Sequence, residues 1–265
     1  MENKDLKSVY DEMHSKGSSS WYGQGEEERE LILKMGEPWN MYDVLEIGCG
    51  EGILTSQIAI KGAVVYGIDY SEVAIKKAKE KYVDDLIIFS SADYHTITTK
   101  FDRIVMQGVL EHLDDPFKEL KWMMDNLLTE HGDVITSSPC FWNPRGFIWM
   151  ALDMVGAVMS KTDLHYLNPS EFMEFSDTNN YGYDVEYCDW GWGNHSQMVD
   201  DLKERIPKAL KDGNIIYSQY KLYKFIKWIE NLPLFFLSCH REELPTWRSH
   251  HLLEIASFRL RRNSQ

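Results

Sequence analysis

The chain contains 265 residues, of which 43% are hydrophobic and 13% aromatic, and its formal net charge is −14. This length and composition are typical of a folded globular protein with one domain that carries a sizeable insertion. The acidic balance comes without a long run of Lys and Arg. The chain therefore lacks the charge that phosphate-backbone binding requires, and we expect no nucleic-acid partner.

Cysteine spacing and the apolar stretches argue against zinc-knuckle, disulfide-rich and membrane-spanning proteins. The cysteines are far apart and form no CxxC pair, which predicts neither a zinc knuckle nor a disulfide framework. They are Cys49, Cys140, Cys188 and Cys239. Residues 1–7 are charged, and the apolar stretch 147–159 contains Asp153 and is too short to span a bilayer. We therefore expect a cytoplasmic protein with no membrane partner, and the sequence leaves its oligomeric state open.

Strands and helices alternate through the first half of the chain. A polar lead-in ends in a helix predicted from about Glu26 to Lys34. The hydrophobic pattern then predicts strand 43–47, helix 54–61, strand 64–68, helix 71–82 with Ser71 as N-cap, strands 86–89 and 102–106, a helix opening at Asp115-Pro116, and strand 133–136 after Gly132. This alternation favours an α/β fold with a doubly wound, mostly parallel sheet.

The pattern changes after Pro139. It predicts helical packing over 143–160, a strand over 183–190, two helices over 200–231 around Gly213, and a final strand over 251–259 that would close the sheet. Residues 191–247 are too many for a simple connection between strands, so we interpret them as a helical lid insertion. The expected organisation is an N-terminal cap at 1–40, an α/β domain at 41–190 and 248–265, and the lid at 191–247.

A glycine-rich turn follows the first predicted strand. Gly48, Gly50 and Gly52 stand where this buried strand would turn into a helix, which allows a ligand to approach the backbone closely. Glu46 precedes the turn. Asp69 ends the next strand, about twenty residues on, where an acid holds the ribose hydroxyls of an adenosine-type ligand. A dinucleotide dehydrogenase uses the same arrangement, so these residues alone leave the cofactor open.

Four motifs occur in order along this half of the chain: LEIGCGEG at 45–52, GIDYS at 67–71, SADY at 91–94 and LEHLDDP at 110–116. Together they resemble the class I S-adenosylmethionine-dependent methyltransferases, especially the small-molecule branch that includes the ubiquinone-biosynthesis O-methyltransferases. The resemblance implies a Rossmann-like sheet of seven strands with the last antiparallel, and S-adenosylmethionine as the cofactor. The fourth motif favours this family over a dehydrogenase.

The resemblance also implies roles for residues around the methionine part of the cofactor and its ribose. The backbone of Gly48, Cys49 and Gly50 would wrap the methionine part. Glu46 would fix this loop or bind the cofactor's amino group, and Asp69 would accept hydrogen bonds from the ribose hydroxyls.

On the adenine side, the resemblance places Tyr70 against the ring, Asp93 on its amino group and the backbone N–H of Tyr94 on the ring. Relatives also fold an N-terminal segment over the cofactor. Trp21 and Tyr22 lie in such a segment, where contact between an aromatic ring and a sulfonium is favourable. The alternative for both aromatics is a surface loop docked on the core.

Gln107 distinguishes this chain from the metal-dependent relatives. At the end of the fourth strand it would present its carbonyl near the cofactor's amino group, and its position corresponds to one where those relatives carry a carboxylate. A neutral amide is a poorer magnesium ligand than a carboxylate. We therefore predict no metal cofactor, although Glu111 and His112 are present.

Three histidines are candidates for the acceptor side, because a hydroxyl acceptor must lose its proton during methyl transfer. His165 is our first choice, since the segment 163–172 resembles the His-aromatic-x-x-Pro-x-Glu segment after the fifth strand of many relatives. His112 is placed near the methyl group by the resemblance, and His195 lies outside the family pattern. The alternatives are that His165 caps the following helix and that His112 packs against the start of the next helix and hydrogen-bonds it.

The sequence therefore predicts methyl transfer to an oxygen or nitrogen of a small-molecule acceptor, such as a secondary metabolite, a sugar or a quinone-like ring. Aromatic residues and a lid suit an enclosed acceptor. Two alternatives remain: the same fold used for chemistry other than methyl transfer, and a non-catalytic binding subunit.

Overall fold

The computed structural model describes residues 8, 10–12, 14–15, 25–141, 144–158, 160, 162–188, 195–239 and 255–262. Seven strands form one sheet: β1 (Asp43–Ile47), β2 (Val64–Asp69), β3 (Ile87–Ser91), β4 (Phe101–Gln107), β5 (Leu128–Pro139), β6 (Tyr181–Cys188) and β7 (Ile255–Arg262). Their order across the sheet is β3-β2-β1-β4-β5-β7-β6.

Helices connect the strands and cover the sheet. They are α1 (Glu26–Met35), α2 (Ile53–Ile60), α3 (Glu72–Lys81), α4 (Pro116–Asn126), α5 (Pro144–Asp153), α6 (Pro169–Asn179), α7 (His195–Asp212) and α8 (Gln219–Cys239). Short 3-10 turns at Tyr94–Thr96 and Leu110–His112 follow β3 and β4. None of the helices within the described ranges is both long and apolar enough to span a bilayer.

Two helices begin where side-chain caps were predicted. The Ser71 hydroxyl accepts a hydrogen bond from the backbone N–H of Ala74 at 3.2 Å, which starts α3. The Asp115 carboxylate accepts from the backbone N–H of Lys118 at 3.2 Å and is followed by Pro116, which starts α4. Since both caps follow strands, they fix the chain at the carboxyl edge of the sheet.

The sheet confirms the predicted doubly wound, mostly parallel architecture. Strand β1 runs parallel to β2 and β4, β3 runs parallel to β2, and β5 runs parallel to β4. Strand β7 is antiparallel to both β5 and β6, as the resemblance implied. The last strand does not lie at the edge of the sheet, because β6 pairs outside it.

Several predicted boundaries were wrong. Strand β5 begins at Leu128 rather than after Gly132, which lies inside the strand beside a shift in register between Phe101 and Arg103. A Cβ atom at Gly132 would lie 3.0 Å from the carbonyl oxygen of Asp102, so glycine allows this close approach. The two helices predicted over 200–231 are also longer than predicted, at 195–212 and 219–239, and β6 begins two residues earlier than predicted.

The strand order places the expected ligand crevice at the carboxyl edge between β1 and β4. Strand order reverses at this point, since the chain proceeds from β1 outward to β3 and then returns to β4. Ligands of open α/β sheets bind at such a reversal. The loop 48–52 follows β1 and the turn 108–112 follows β4, and Val109 lies next to Gly48, so the motifs that begin at Leu45 and Leu110 meet here.

Helices α7 and α8 pack in a layer of their own with α5. Their buried side chains form an apolar cluster that includes Trp149 from α5, Leu202 and Ile206 from α7, and Ile229 from α8. Strand residues belong to other clusters. The packing of this layer therefore depends on contacts among helices more than on the sheet.

Candidate active site

The loop after β1 uses backbone conformations that favour glycine. Gly48, Gly50 and Gly52 have φ angles of 72°, 53° and 82°. A Cβ atom at Gly48 would lie 2.6 Å from Cγ2 of Val109, and one at Gly52 would lie 2.5 Å from Cζ of Phe89. Side chains at these positions would clash, and glycine leaves the backbone of the loop accessible to a ligand.

Asp69 joins the end of β2 to this glycine loop. One carboxylate oxygen accepts from the backbone N–H of Gly50 at 3.0 Å, and the other accepts from the backbone N–H of Ser71 at 2.8 Å. Burial raises the pKa of Asp69, although both N–H groups oppose the change. Each carboxylate oxygen has capacity for another donor, so Asp69 can hold the loop and still accept from a ligand's hydroxyls.

Glu46 is buried at the end of β1, with 2% of its surface exposed. Its carboxylate accepts a hydrogen bond from the hydroxyl of Thr55 in α2. Burial raises its pKa to about 8. This contact ties β1 to the helix that follows the glycine loop, as expected of a residue that fixes the loop. Binding of a cofactor amino group by Glu46 stays a prediction.

A second buried polar group links α1 to the ends of β4 and β5. The Glu28 carboxylate accepts from the side-chain amide of Gln107 at 2.6 Å and from the hydroxyl of Ser137 at 2.5 Å. Burial raises the pKa of Glu28. Arg29, 7% exposed, opposes the effect of burial on the pKa of both Glu28 and Glu46. A buried cation therefore lies next to the glycine loop.

The residues predicted for the adenine side follow β2 and β3 at the same edge. Tyr70 is 37% exposed. Asp93 is exposed and accepts from the backbone N–H of His95 at 2.9 Å, which caps the turn 94–96. The Tyr94 hydroxyl donates to Glu119 at 2.9 Å, and burial raises its pKa. The three are near one another, and their contacts with adenine stay predictions.

The turn after β4 holds His112 beside two acceptors. Its Nδ1 lies 3.0 Å from the carbonyl oxygen of Thr162 and 3.3 Å from a carboxylate oxygen of Asp163. Next to it, Glu111 is buried and accepts from the hydroxyl of Ser138 at 2.9 Å. Burial raises the pKa of Glu111 to about 7. A carboxyl group and an imidazole are thus fixed in the turn after β4, and their role toward an acceptor stays a prediction.

The other predicted residues are placed differently. The Nε2 atom of His165 lies 3.0 Å from the carbonyl oxygen of Asp114, so this ring joins two loops. His195 begins α7, and its side chain lies outside the described residues. Trp21 and Tyr22 also lie outside them. The roles of these four residues stay predictions.

Residues near the N-terminus touch both sides of the crevice. The hydroxyl of Ser71 donates to the Asp11 carboxylate at 2.5 Å. The ring of Tyr10 meets that of His112 edge to face, with 5.9 Å between centroids. Two consecutive residues therefore contact the rim beside Asp69 and the turn after β4.

Comparison with known proteins decides the family. The family model described as a methyltransferase domain matches residues 23–178, more than half of the chain. The chain belongs to the class I S-adenosylmethionine-dependent methyltransferases. It is thus a member of a family of enzymes whose cofactor is S-adenosylmethionine, and the dehydrogenase alternative is set aside.

Relatives of this methyltransferase include ubiquinone biosynthesis O-methyltransferases. The one from Nitrosomonas europaea is 30% identical over 115 residues, which cover 40% of this chain and 47% of the relative. The one from Thiobacillus denitrificans is 39% identical over 79 residues, which cover 28% of this chain and 34% of the relative. The chain thus spans less than half the length of these relatives.

Solved structures show the same fold at low identity. The DhpI–SAM–HEP complex has a TM-score of 0.57 at 18% identity, covering 69% of this chain and 91% of that one. The cyclase SpnF has a TM-score of 0.55 at 13% identity, covering 89% of this chain and 80% of that one. Both likenesses concern the fold alone.

Sequence reasoning missed several polar groups of this methyltransferase site. Glu28 and Arg29 lie in the run EEERE, which reads as a solvated acidic helix face although both are buried. Thr162 and Asp163 reach His112 from fifty residues away in the chain. Only the pairing of distant segments reveals these contacts, and no local motif could have shown them.

Proposed function

We propose that this methyltransferase transfers the methyl group of S-adenosylmethionine to an oxygen or nitrogen atom of a small molecule. The observation that carries the proposal is the joined unit of glycine loop and Asp69 at the reversal of strand order. A backbone held bare by Gly48 and Gly52 suits a ligand that approaches closely, and Asp69 keeps acceptor capacity for a ribose diol.

The polar groups beside the loop also fit the charged end of this cofactor. Its methionine part carries an ammonium and a carboxylate. The buried Arg29 offers a cation for the carboxylate, and the Glu46 carboxyl, whose pKa burial raises to about 8, offers oxygens that can accept from the ammonium. Tyr70, Asp93, Tyr94 and Gln107 are proposed to complete the cofactor contacts.

When bound, the cofactor supplies a methyl group on a positively charged sulfur. The protein's task is to align the acceptor with that group and to exclude water. We assign the covering role to the N-terminal cap at 1–40, supported by the contacts of Tyr10 and Asp11 across the crevice. The lid is assigned to 191–247, with α7 and α8 packed as a separate layer.

A small acceptor agrees with the charge of the chain. A formal net charge of −14 disfavours a polyanionic partner such as nucleic acid. A crevice at the sheet edge suits an acceptor that is enclosed next to the cofactor. The proposal includes phenols, sugars and amines, with one of the histidines as the base when the acceptor is a hydroxyl.

Two measurements on the full chain test the proposal. Calorimetry should show binding of S-adenosylmethionine and S-adenosylhomocysteine and none of NAD. Incubation with methyl-labelled S-adenosylmethionine and 3,4-dihydroxybenzoate, glucose or phenethylamine should then give a labelled product and S-adenosylhomocysteine. Binding of NAD in preference to S-adenosylmethionine would exclude the proposed cofactor site.

A second candidate is chemistry other than methyl transfer, since a protein described as a cyclase, SpnF, shares this fold. A fold alone does not determine the reaction. This candidate predicts tight cofactor binding without formation of S-adenosylhomocysteine from any acceptor, including those in a metabolite extract. A non-catalytic subunit predicts weak binding, contrary to the joined loop and acid seen here.

A further inference from the structure

Two histidines at the acceptor side are held through opposite ring nitrogens. The Nδ1 atom of His112 lies 3.0 Å from the carbonyl oxygen of Thr162, and the Nε2 atom of His165 lies 3.0 Å from the carbonyl oxygen of Asp114. A carbonyl oxygen only accepts, so the nitrogen that faces it carries a proton. In the neutral rings, the lone pair is therefore on Nε2 of His112 and on Nδ1 of His165.

The ring of His112 lies next to the cofactor crevice. Tyr10 contacts it at 5.9 Å between centroids, and the neighbouring Asp11 accepts from Ser71 at 2.5 Å. Ser71 stands two residues after Asp69, and consecutive Cα atoms are only about 3.8 Å apart. One short piece of chain therefore touches both His112 and the rim of the proposed ribose site.

We infer that Nε2 of His112, in place of the first choice His165, is the base that accepts the proton of a hydroxyl acceptor, and that Asp163 is its positioning residue. This inference rests on the proposed function. Within the ranges that the structure describes, Nε2 of His112 has no hydrogen-bond partner. The Asp163 carboxylate lies 3.3 Å from Nδ1, where it stabilises the ring once it becomes charged.

Proton and electron transfers balance in this arrangement. The acceptor oxygen bonds to the methyl carbon as the carbon–sulfur bond breaks, and the electron pair of that bond stays on sulfur. The hydroxyl proton passes to Nε2 of His112, which becomes an imidazolium next to the negative Asp163. The ring then releases its proton to water. The base thus keeps its orientation through the cycle because Nδ1–H remains bonded to Thr162.

The backbone fixes the two segments before any ligand binds. The carbonyl oxygen of Glu111 accepts from the backbone N–H of Leu164 at 2.8 Å and from that of His165 at 3.1 Å. Thr162 and Asp163 are therefore anchored against the turn that carries the base. Preorganisation of this kind is what a positioned base requires.

Nuclear magnetic resonance tests the base assignment without an acceptor. The full chain is labelled with 15N-histidine and saturated with S-adenosylhomocysteine, and the variants His112→Gln and His165→Gln identify the signals. We expect neutral His112 to carry its proton on Nδ1 and neutral His165 to carry its proton on Nε2. A proton on Nε2 of His112 would overturn the assignment.

Kinetics with 3,4-dihydroxybenzoate test the positioning role. Asp163→Asn should lower kcat about tenfold or more while the KM for S-adenosylmethionine stays unchanged, and Asp163→Glu should restore part of the loss. Asp114→Asn is the matched control, since it removes an exposed carboxylate nearby but keeps the backbone carbonyl that His165 contacts. Equal losses in both Asn variants, or a parallel rise in KM, would show that Asp163 has no positioning role.

The two inferences fail in different ways. If neither S-adenosylmethionine nor S-adenosylhomocysteine binds, the proposed function is wrong. If S-adenosylhomocysteine binds and His112 carries its proton on Nε2, only the base assignment is wrong. If the parent chain methylates 3,4-dihydroxybenzoate and the His112→Gln variant does so at the same rate, again only the base assignment is wrong.

Discussion

The two halves of this methyltransferase differ in how their residues are held. Between β1 and β4, side chains bond to backbone groups of the next loop, as Asp69 does with Gly50 and Ser71. In the layer of α5, α7 and α8, apolar side chains such as Leu202 and Ile229 pack against one another. The first half therefore needs particular residues at fixed spacings, whereas the second needs only apolar residues of suitable size.

The largest expected effect is a change in the pH dependence of stability at Glu46, in the half that depends on particular residues. Its pKa, raised to about 8 by burial, means that the folded chain binds this proton more tightly than the unfolded chain does. The stability contribution is therefore present below the ordinary glutamate pKa and is lost as pH rises through about 8. In the parent chain the free energy of unfolding should therefore fall by on the order of 3–5 kcal/mol between acid and alkaline pH, and Glu46→Gln should remove this decrease.

Urea unfolding at pH 5, 7 and 8.5 measures this effect. The variant should be more stable than the parent chain at pH 8.5, because glutamine can still accept from Thr55 and carries no charge. Glu80→Gln is the control, since Glu80 is exposed and pairs with Lys76 across one helical turn. Parallel pH curves for the parent and Glu46→Gln would contradict the prediction.

A core truncation in the helical layer tests whether the two halves are energetically separate. Leu202→Ala removes a fully buried side chain of α7 and should cost about 2–5 kcal/mol within that layer. Hydrogen exchange should rise in 195–239 while affinity for S-adenosylhomocysteine stays unchanged. Ile58→Ala is the counterpart in the sheet, where Ile58 is equally buried against β1 and β2. A rise of equal size in both regions for both variants would show a single cooperative unit.

The same contrast explains what the sequence could predict. Local signals located β1, β2, the cap at Ser71 and the order of the motifs, because each depends on neighbouring residues. The placement of β7 inside the sheet depends on pairing between segments over a hundred residues apart in the chain. The burial of Glu28 has the same origin, since its partners Gln107 and Ser137 come from β4 and β5. Patterns among neighbouring residues therefore predict neither the position of β7 nor the burial of Glu28.

A smaller effect is expected at Asp69. Asp69→Ala removes both the proposed ribose acceptor and the bond to Gly50, and should weaken S-adenosylhomocysteine binding by about 1–3 kcal/mol. Asp84→Ala is a matched control, because Asp84 also accepts a backbone N–H, that of Leu86, but precedes β3 at the opposite edge. Calorimetry compares the two. Unchanged affinity in Asp69→Ala would remove the central support of the cofactor site.

The smallest expected effect concerns metal removal. Gln107 stands where metal-dependent relatives carry a carboxylate, and its amide nitrogen donates to Glu28 at 2.6 Å. A neutral amide held in this way is a poor magnesium ligand. Of the neighbouring candidates, Glu111 is buried and bonded to Ser138, and Nδ1 of His112 faces Thr162. Turnover of 3,4-dihydroxybenzoate should therefore stay within about twofold after treatment with EDTA, a change too small to reflect loss of a catalytic ion. If chelation abolishes turnover and magnesium restores it, Glu111 and His112 must rearrange to bind the ion, and the acceptor side would be as dependent on particular residues as the cofactor side.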